Sequence, residues 1–326
     1  MSEPIKPAET QDPLSDPNFS FTQQHLIGLT DYTADDIRFV LRQAAYFREV
    51  LNRPVPTLPT LCDKTTVNLF SENSTRTRIS FELAQKRMGA DVINFSSSSS
   101  SVKKGESLKD TIRNIESMKI DMVVVRHESP GVPHFLLRCV DAAIINAGDG
   151  AHEHPTQALL DMFSMQQVKG PIKGQKVVIV GDILHSRVVR SNIIGLTRLG
   201  AEVMVCGPKT MMPLYVNELG VTVSHNLEEC LAWCDVAMAL RIQLERQKGG
   251  LFPSIREYHE KFGIKMKHLE KYPDMTIMHP GPINRGVEME SDVADSDRAI
   301  ILNQVTNGLA VRMAVLYLLS GRRDLG

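Results

Sequence analysis

The stretch TTVNLFSENSTRTRISFELAQKRMGADVINF, residues 65–95, contains the unit from which most of the chain is built. Its two short apolar runs, TTVNLF and DVINF, have the length and composition of buried strands. The segment Thr75–Met88 between them has the apolar spacing of a helix. A strand, a helix and a second strand in this order predict a βαβ unit with parallel strands and a right-handed crossover.

The same alternation continues along the chain. Further strands are predicted at DMVVVR, AAIINAG, KVVIVGD, AEVMVCG, VTVSH, DVAMAL and MTIMHP, and further helices at Ser107–Met118 and Val132–Val140. The segment QKGGLFPSIREYHEKFG interrupts the second series, and we expect it to be a surface excursion. The predicted fold class is therefore α/β, with two doubly wound parallel-sheet domains joined by helices.

The predicted domain boundaries follow from this order. Residues 1–20 are polar and rich in proline, and we expect them to form a flexible tail. The first domain covers residues 21–157 and the second covers residues 158–304, with the boundary in HEHPTQALLDMF, where a turn opens a helix. The apolar stretch 305–320 is predicted to be a helix that returns to complete the first domain.

The composition argues against nucleic acid and membrane partners. The net charge is −1, whereas nucleic-acid-binding domains are usually strongly basic. No apolar run approaches the ~20 residues that a membrane-spanning helix needs. The 5 cysteines include no C-x-x-C pair, and most lie in apolar segments, so we expect buried free thiols rather than disulfides or zinc ligands. Free thiols are typical of a reducing cytosol, and we expect a cytoplasmic location.

A cluster of hydroxyl and guanidinium groups follows the first predicted strand, in SENSTRTRIS. Ligands of open parallel sheets bind beyond the carboxyl ends of the strands, and a helix N-terminus is a ready anion site. Arg76 can hold a phosphate through two parallel hydrogen bonds. Since an ordinary helix cap needs only one hydroxyl, the stretch favours a phosphate site.

Other polar side chains stand at later strand ends. Arg126 follows VVV, and His154 and Gln157 follow the next strand and precede a helix. Arg187 lies in the first turn of a predicted helix, where arginine opposes the helix dipole, and Arg241 follows a later strand. One domain thus offers an anion site, and the other offers two arginines for carboxylates.

Two cofactor sites are weaker hypotheses. The G-x-G-x-x-E of GDGAHE lacks the third glycine of the dinucleotide fingerprint, which disfavours an NAD site. A zinc site from His152, Glu153 and His154 is a further hypothesis, although alternate residues of a loop have no fixed common face.

Taken together, the motifs resemble a known family. STRTR, KKGES, RH, HPTQ, VGD…SR, RIQLER and HPGP occur in the order and approximate spacing of the aspartate carbamoyltransferase catalytic chains, from roughly Phe21 onward. The resemblance implies transfer of the carbamoyl group of carbamoyl phosphate to the amino group of L-aspartate. The products would be N-carbamoyl-L-aspartate and phosphate, in the committed step of pyrimidine synthesis. It implies neither cofactor nor metal.

The resemblance also implies a role for each motif residue. Carbamoyl phosphate would be bound by Ser74, Thr75, Arg76, Thr77, Arg126, His154, Gln157, Pro280, Gly281 and Pro282. The catalytic residues would be Arg126, His154, Thr77, Arg76 and Lys104. L-aspartate would be held by Lys104, Arg187, Arg241 and Gln243. Ser100 and Lys104 would enter from the neighbouring subunit of a homotrimer with shared active sites.

The sequence also departs from many family members and leaves alternatives open. Gly281 stands where leucine is common, and the polar tail, the excursion and HPGPINRGVE resemble bacterial members that assemble with a dihydroorotase or a dihydroorotase-like chain. One alternative is an ornithine carbamoyltransferase, although ornithine would need an acidic group where Arg241 and Gln243 stand, and HPTQ differs from the HPCQ typical of those enzymes. A second is a catalytically silent scaffold subunit, against which the complete motif set argues.

Overall fold

The computed structural model describes residues 20–72, 74–96, 107–242 and 254–321. The predictions for the tail up to residue 19 and for Ser100, Lys104 and Gln243 therefore lie outside the described residues.

The described ranges contain strands and helices in near-regular alternation. The strands are Thr65–Phe70 (β1), Asp91–Ser96 (β2), Met122–His127 (β3), Ala143–Asp149 (β4), Lys176–Val180 (β5), Glu202–Cys206 (β6), Thr222–Ser224 (β7), Val236–Ala239 (β8) and Thr276–Met278 (β9). The helices are Ala34–Leu51 (α1), Thr75–Arg87 (α2), Leu108–Glu116 (α3), Val132–Leu136 (α4), Pro155–Lys169 (α5), Arg187–Arg198 (α6), Leu227–Trp233 (α7), Ile255–Phe262 (α8), Met266–Lys271 (α9), Ser291–Ala294 (α10) and Ile301–Leu319 (α11).

The strands form two parallel sheets. The first has the order β2-β1-β3-β4 and the second the order β7-β6-β5-β8-β9. All the strand pairs are parallel, as between Val67 and Ile93 in the first sheet and between Val178 and Met204 in the second. The predicted fold class, two doubly wound parallel sheets, is confirmed.

Helices α5 and α11 connect the two halves of the molecule. Helix α11 packs against α1, α2 and α5, and α5 also packs against α6. The predicted return of the C-terminal helix to the first domain is therefore confirmed, although the helix begins at Ile301 rather than at Val305. The predicted boundary between residues 157 and 158 falls inside α5 and stays a prediction.

Two sequence predictions about local structure are wrong. The expected surface excursion contains α8, whose Tyr258 and Phe262 are buried in the core of the second sheet. The four-residue spacing of these two rings places them on one helix face, which the high charge of the flanking residues had obscured. Helix α4 ends at Leu136, four residues before the predicted Val140.

Two expectations from composition concern cysteines and membrane spans. All five cysteines are free, but only Cys206 and Cys230 are buried, and Cys62 is exposed. Among the helices of the described ranges, none is long and apolar enough to cross a membrane.

Candidate active site

One cavity of about 1080 Å³ is lined by residues that follow strands of both sheets. In each sheet the strand order reverses direction at one point, between β1 and β3 in the first sheet and between β5 and β8 in the second. The loops on either side of such a point diverge and leave a crevice at the carboxyl ends of the strands. Both crevices open into this cavity, with Arg126 in the last residues of β3 and Arg187 after β5.

The N-terminus of α2 is built as an anion site. Ser74 is the N-cap, and its side chain makes no capping hydrogen bond, so its hydroxyl is not committed to the helix. The first turn holds Thr75, Arg76 and Thr77 and no acidic residue. Unpaired N–H groups, the positive end of the helix dipole and these side chains therefore combine at one place.

A single carboxylate links the arginines of the two sheets. Glu72, just after β1, accepts hydrogen bonds from Arg187 Nη1 at 3.0 Å and Arg187 Nη2 at 2.8 Å. Its Oε1 also accepts from Arg126 Nη2 at 3.3 Å, while Arg126 Nη1 donates to the Ala147 carbonyl at 3.0 Å. The paired geometry on Arg187 is the one in which arginine holds carboxylates best.

His154 lies at the N-cap of α5 and is buried. Burial lowers its pKa well below the ordinary value, and the positive charges of Arg126, Arg187 and Arg312 lower the pKa further. The imidazole is therefore neutral at neutral pH. Its backbone N–H donates to Ser191 Oγ at 2.9 Å, which ties the start of α5 to α6.

The loop after β9 completes the cavity. His279 Nδ1 accepts from the N–H of Gly281 at 2.8 Å, and His279 Nε2 lies 3.1 Å from Glu288 Oε1. Gly281 has a φ of 66°, and a Cβ at this position would collide with Arg76 Nη1. Glycine therefore allows both the left-handed backbone and the close approach of Arg76. The pKa of Arg76 is lowered by burial and by the positive charge of nearby Arg241.

Most of the predicted site residues lie together around this cavity. Those in the described ranges that line it are Ser74, Thr75, Arg76, Thr77, Arg126, His154, Gln157, Arg187, Arg241, Pro280, Gly281 and Pro282. The role of each of these residues stays a prediction.

The zinc hypothesis receives no support from the described residues. His152 bonds to Asp149, and the Glu153 carboxylate accepts from the Leu29 N–H and from Ser191 Oγ. Their partners differ, and within the described ranges no three His, Cys, Asp or Glu side chains are grouped to hold a metal ion.

Sequence reasoning missed two charged residues that line the cavity and one buried carboxylate that accepts from the lining residue Gln157. They are Glu72, Arg312 and Asp161. Asp161 stands four residues after Gln157, the spacing at which helix side chains pair, and Arg312 is the one charged residue of α11. Both features could have been recognised in the sequence. The pairing of Glu72 with Arg187 could not, because the two residues are 115 positions apart and no local pattern connects them.

Fold and cavity together define a two-domain α/β protein with a cationic cleft between its sheets. Comparison with known proteins agrees with this description. The family model "Aspartate/ornithine carbamoyltransferase, carbamoyl-P binding domain" matches residues 24–167, and the model of the Asp/Orn binding domain matches residues 173–319. The chain belongs to the aspartate/ornithine carbamoyltransferase family.

Relatives and solved structures with similar folds come from both branches of that family. An aspartate carbamoyltransferase catalytic subunit from Cytophaga hutchinsonii is 59% identical over 301 residues, which are 92% of this chain and 98% of the relative. Aspartate transcarbamoylase from Trypanosoma cruzi, in complex with N-(phosphonacetyl)-L-aspartic acid, has a TM-score of 0.82 at 30% identity, covering 90% of this chain and 95% of that one. Ornithine carbamoyltransferase from Pyrococcus furiosus has a TM-score of 0.80 at 29% identity, covering 91% and 97%.

The protonation state of His154 gives a first testable prediction. Because its pKa is lowered by burial and by three arginines, we expect its imidazole to stay neutral from about pH 6 to pH 8, where an ordinary histidine titrates. Histidine-selective ¹⁵N NMR measures this directly, and the His154→Gln variant identifies the signal by its loss. A His154 signal that titrates near the ordinary pKa of 6.5 would contradict the electrostatic account.

Proposed function

We propose that this protein transfers the carbamoyl group of carbamoyl phosphate to L-aspartate. The observation that carries the proposal is a site with two different anion-binding parts in one cavity. The first is the N-terminus of α2, which suits a phosphate. The second is Arg187, which already holds the Glu72 carboxylate through two hydrogen bonds, with Arg241 in the same cavity. The name of the Cytophaga relative, aspartate carbamoyltransferase catalytic subunit, supports this choice of substrates.

Carbamoyl phosphate would bind with its phosphate at residues 74–77. Its carbonyl oxygen would then meet Arg126 and the neutral imidazole of His154, which are both buried in the cavity wall. Its NH₂ group would donate to the Gln157 side chain and to backbone carbonyls in the 280–282 turn. Each polar group of the substrate thereby receives a partner of the right kind, acceptor for donor and donor for acceptor.

L-Aspartate would place its carboxylates on Arg187 and Arg241. The Glu72 carboxylate stands where one of these groups would bind, so a substrate carboxylate would share or replace this partner. Gln243, which lies outside the described residues, would assist. An ornithine side chain would instead place its second ammonium among guanidiniums, which is unfavourable.

The chemistry is a nucleophilic substitution at the carbonyl carbon. The neutral amine of aspartate forms a C–N bond to that carbon, the C–O bond to phosphate breaks, and the amine proton leaves with the phosphate. Since phosphate is a good leaving group, the protein has to align the two substrates and stabilise charge on the carbonyl oxygen. Alignment is worth ~7–11 kcal/mol in favourable cases, and an oxyanion donor ~2.7–4 kcal/mol.

We further propose the cellular context that the family resemblance implies. The product would feed pyrimidine synthesis in the cytoplasm, and the active form would be a homotrimer, alone or in a larger assembly with a dihydroorotase or a dihydroorotase-like chain. Apolar side chains at the cavity rim support a neighbouring subunit, since Ile79 is 54% exposed and Val305 is 60% exposed. Ser100 and Lys104, outside the described residues, would come from that neighbour.

A turnover assay tests the proposed function. With carbamoyl phosphate as donor, we expect rapid carbamoylation of L-aspartate and negligible carbamoylation of L-ornithine, because the second part of the site is cationic. Product formation followed by mass spectrometry separates the alternatives. Preferential use of ornithine would identify the other branch of the family, and no transfer to either amine would identify a silent subunit.

Removal of Arg126 tests the mechanism. Arg126→Ala should lower kcat about 100-fold, because the arginine stabilises oxygen charge that develops only in the transition state. Arg38→Ala, which removes an exposed arginine on α1, is the matched control and should leave both kcat and KM unchanged. A raised KM with normal kcat for Arg126→Ala would show that the residue binds the ground state equally well.

Mixed trimers test whether the site is shared. Arg76→Ala and Lys104→Ala should each be nearly inactive as pure trimers, since each removes one side of every shared site. Trimers reassembled from both variants contain some interfaces at which an intact Arg76 meets an intact Lys104, so part of the activity should return. Mixed trimers, verified by mass, that stay as inactive as their parents would place Lys104 in its own chain's site.

A further inference from the structure

Asp161 is a buried carboxylate that the proposed chemistry does not use directly. It lies on α5 with no exposed surface. Its Oδ1 accepts from Gln157 Nε2 at 2.9 Å and from Gln304 Nε2 at 2.7 Å, and its Oδ2 accepts from Asn192 Nδ2 at 2.9 Å. The three donors belong to α5, α11 and α6, so one carboxylate gathers side-chain amides from three helices.

An ionised carboxylate determines which way the Gln157 amide points. Because it can only accept hydrogen bonds, the NH₂ of Gln157 turns toward Asp161, and the carbonyl oxygen is left for the cavity that Gln157 lines. The opposite rotamer would place two oxygens in contact in a buried site, which is costly. No hydrogen bond to a described residue occupies Gln157 Oε1.

The same carboxylate also orients the amide of Gln304. With its NH₂ on Asp161, Gln304 presents Oε1 to the backbone N–H of His279 at 3.0 Å. His279 in turn accepts from the N–H of Gly281. Asp161 is therefore connected to both groups proposed to receive the carbamoyl NH₂, namely Gln157 and the turn at residues 280–282.

We propose that Asp161 is the positioning residue that makes the site select a carbamoyl group over other acyl groups. The inference rests on the proposed function. A carbamoyl group differs from an acetyl group by an NH₂ donor in place of a methyl group, and only a fixed acceptor distinguishes the two. A site built around such an acceptor strongly rejects the analogue that lacks the donor.

A purely structural role for Asp161 is the rival explanation. A nearby network makes this rival less fitting, since Asn307 on α11 donates to Ser164 Oγ at 2.9 Å and to Gln167 Oε1 at 2.8 Å on α5. That network joins the same two helices without a carboxylate, and its one charged member is Arg48 on α1, which donates to Asn307 Oδ1 at 3.2 Å. A buried carboxylate is therefore unnecessary for joining these helices. A group that accepts hydrogen bonds and donates none is, however, what fixes the orientation of the Gln157 amide.

The charge environment of Asp161 supports an ionised form at neutral pH. Burial raises its pKa and outweighs the three amide hydrogen bonds and the positive charge of Arg312, which lower it, so that the pKa is about 6. Arg312 is the charged group facing it from α11, and the residues facing it from α5 and α6, Gln157 and Asn192, are uncharged. As the pH falls below about 6, protonated Asp161 gains a donor and no longer dictates the Gln157 orientation.

The test compares carbamoyl phosphate with acetyl phosphate as donors to L-aspartate, using the ratio of their kcat/KM values as the preference. Asp161→Leu and Gln157→Leu should each lower the preference by at least about tenfold, and the double variant should lower it no further. Asn307→Leu, the matched control in the network without a carboxylate, should keep the preference. An equal loss with both donors in Asp161→Leu would show that Asp161 is only structural.

The Asp161→Asn variant keeps the test decisive if Asp161→Leu does not fold. Its amide oxygen can accept from Gln157 and Gln304, and its NH₂ can donate to Asn192 Oδ1, which is buried and has no hydrogen-bond partner among the described residues. We expect the wild-type preference to fall as the pH drops through about 6 and that of Asp161→Asn to stay constant. The same fall in both proteins would overturn the inference. Absence of transfer from either donor in the wild type would instead contradict the proposed function.

Discussion

Positive charge concentrated in one cleft is the constraint to which the rest of the site responds. The chain carries a net charge of −1, yet seven arginines line the cavity, and Glu72 is the only acidic residue among the described lining residues. Guanidiniums held this close repel one another and lose hydration. Neutral acceptors such as the Ala147 carbonyl replace part of the hydration, but only anionic partners offset the repulsion. Glu72 and Asp161 supply part of that compensation, and bound substrates would supply the rest.

The order of the strands in the two sheets brings these charges together in the cleft. Two parallel sheets each reverse their strand order once, and the loops at those two points carry the residues that line the cleft. Helices α2 and α6 both begin there, and neither has an acidic residue in its first turn. Their N-terminal dipoles therefore add to the positive potential rather than cancel it. Arg187 tolerates its place at the start of α6 because Glu72 holds it there.

The features that could be predicted from the sequence are those that depend on local residue patterns. The strands β1 to β9 follow from short apolar runs, and the residues after them could be recognised as a site because parallel sheets bind ligands at those ends. It missed α8, whose two buried rings lie among charged residues, and it missed the pairing of Glu72 with Arg187. The spacing of the α8 rings was present in the sequence but was obscured by the charged residues around them. The pairing of Glu72 with Arg187 joins segments 115 residues apart and has no local signal. Asp161 lies between these cases, since its spacing from Gln157 was visible but its other partners were not.

The central claim is that the cleft has a phosphate part at residues 74–77 and a carboxylate part at Arg187 and Arg241. A crystal structure of the complex with N-(phosphonacetyl)-L-aspartic acid, the compound bound by the Trypanosoma cruzi protein, tests both parts at once. The account predicts phosphonate oxygens on the hydroxyls, N–H groups and Arg76 at the start of α2, and the two carboxylates on Arg187 and Arg241. A phosphonate bound at the arginines of the second sheet, or carboxylates bound at the start of α2, would contradict it.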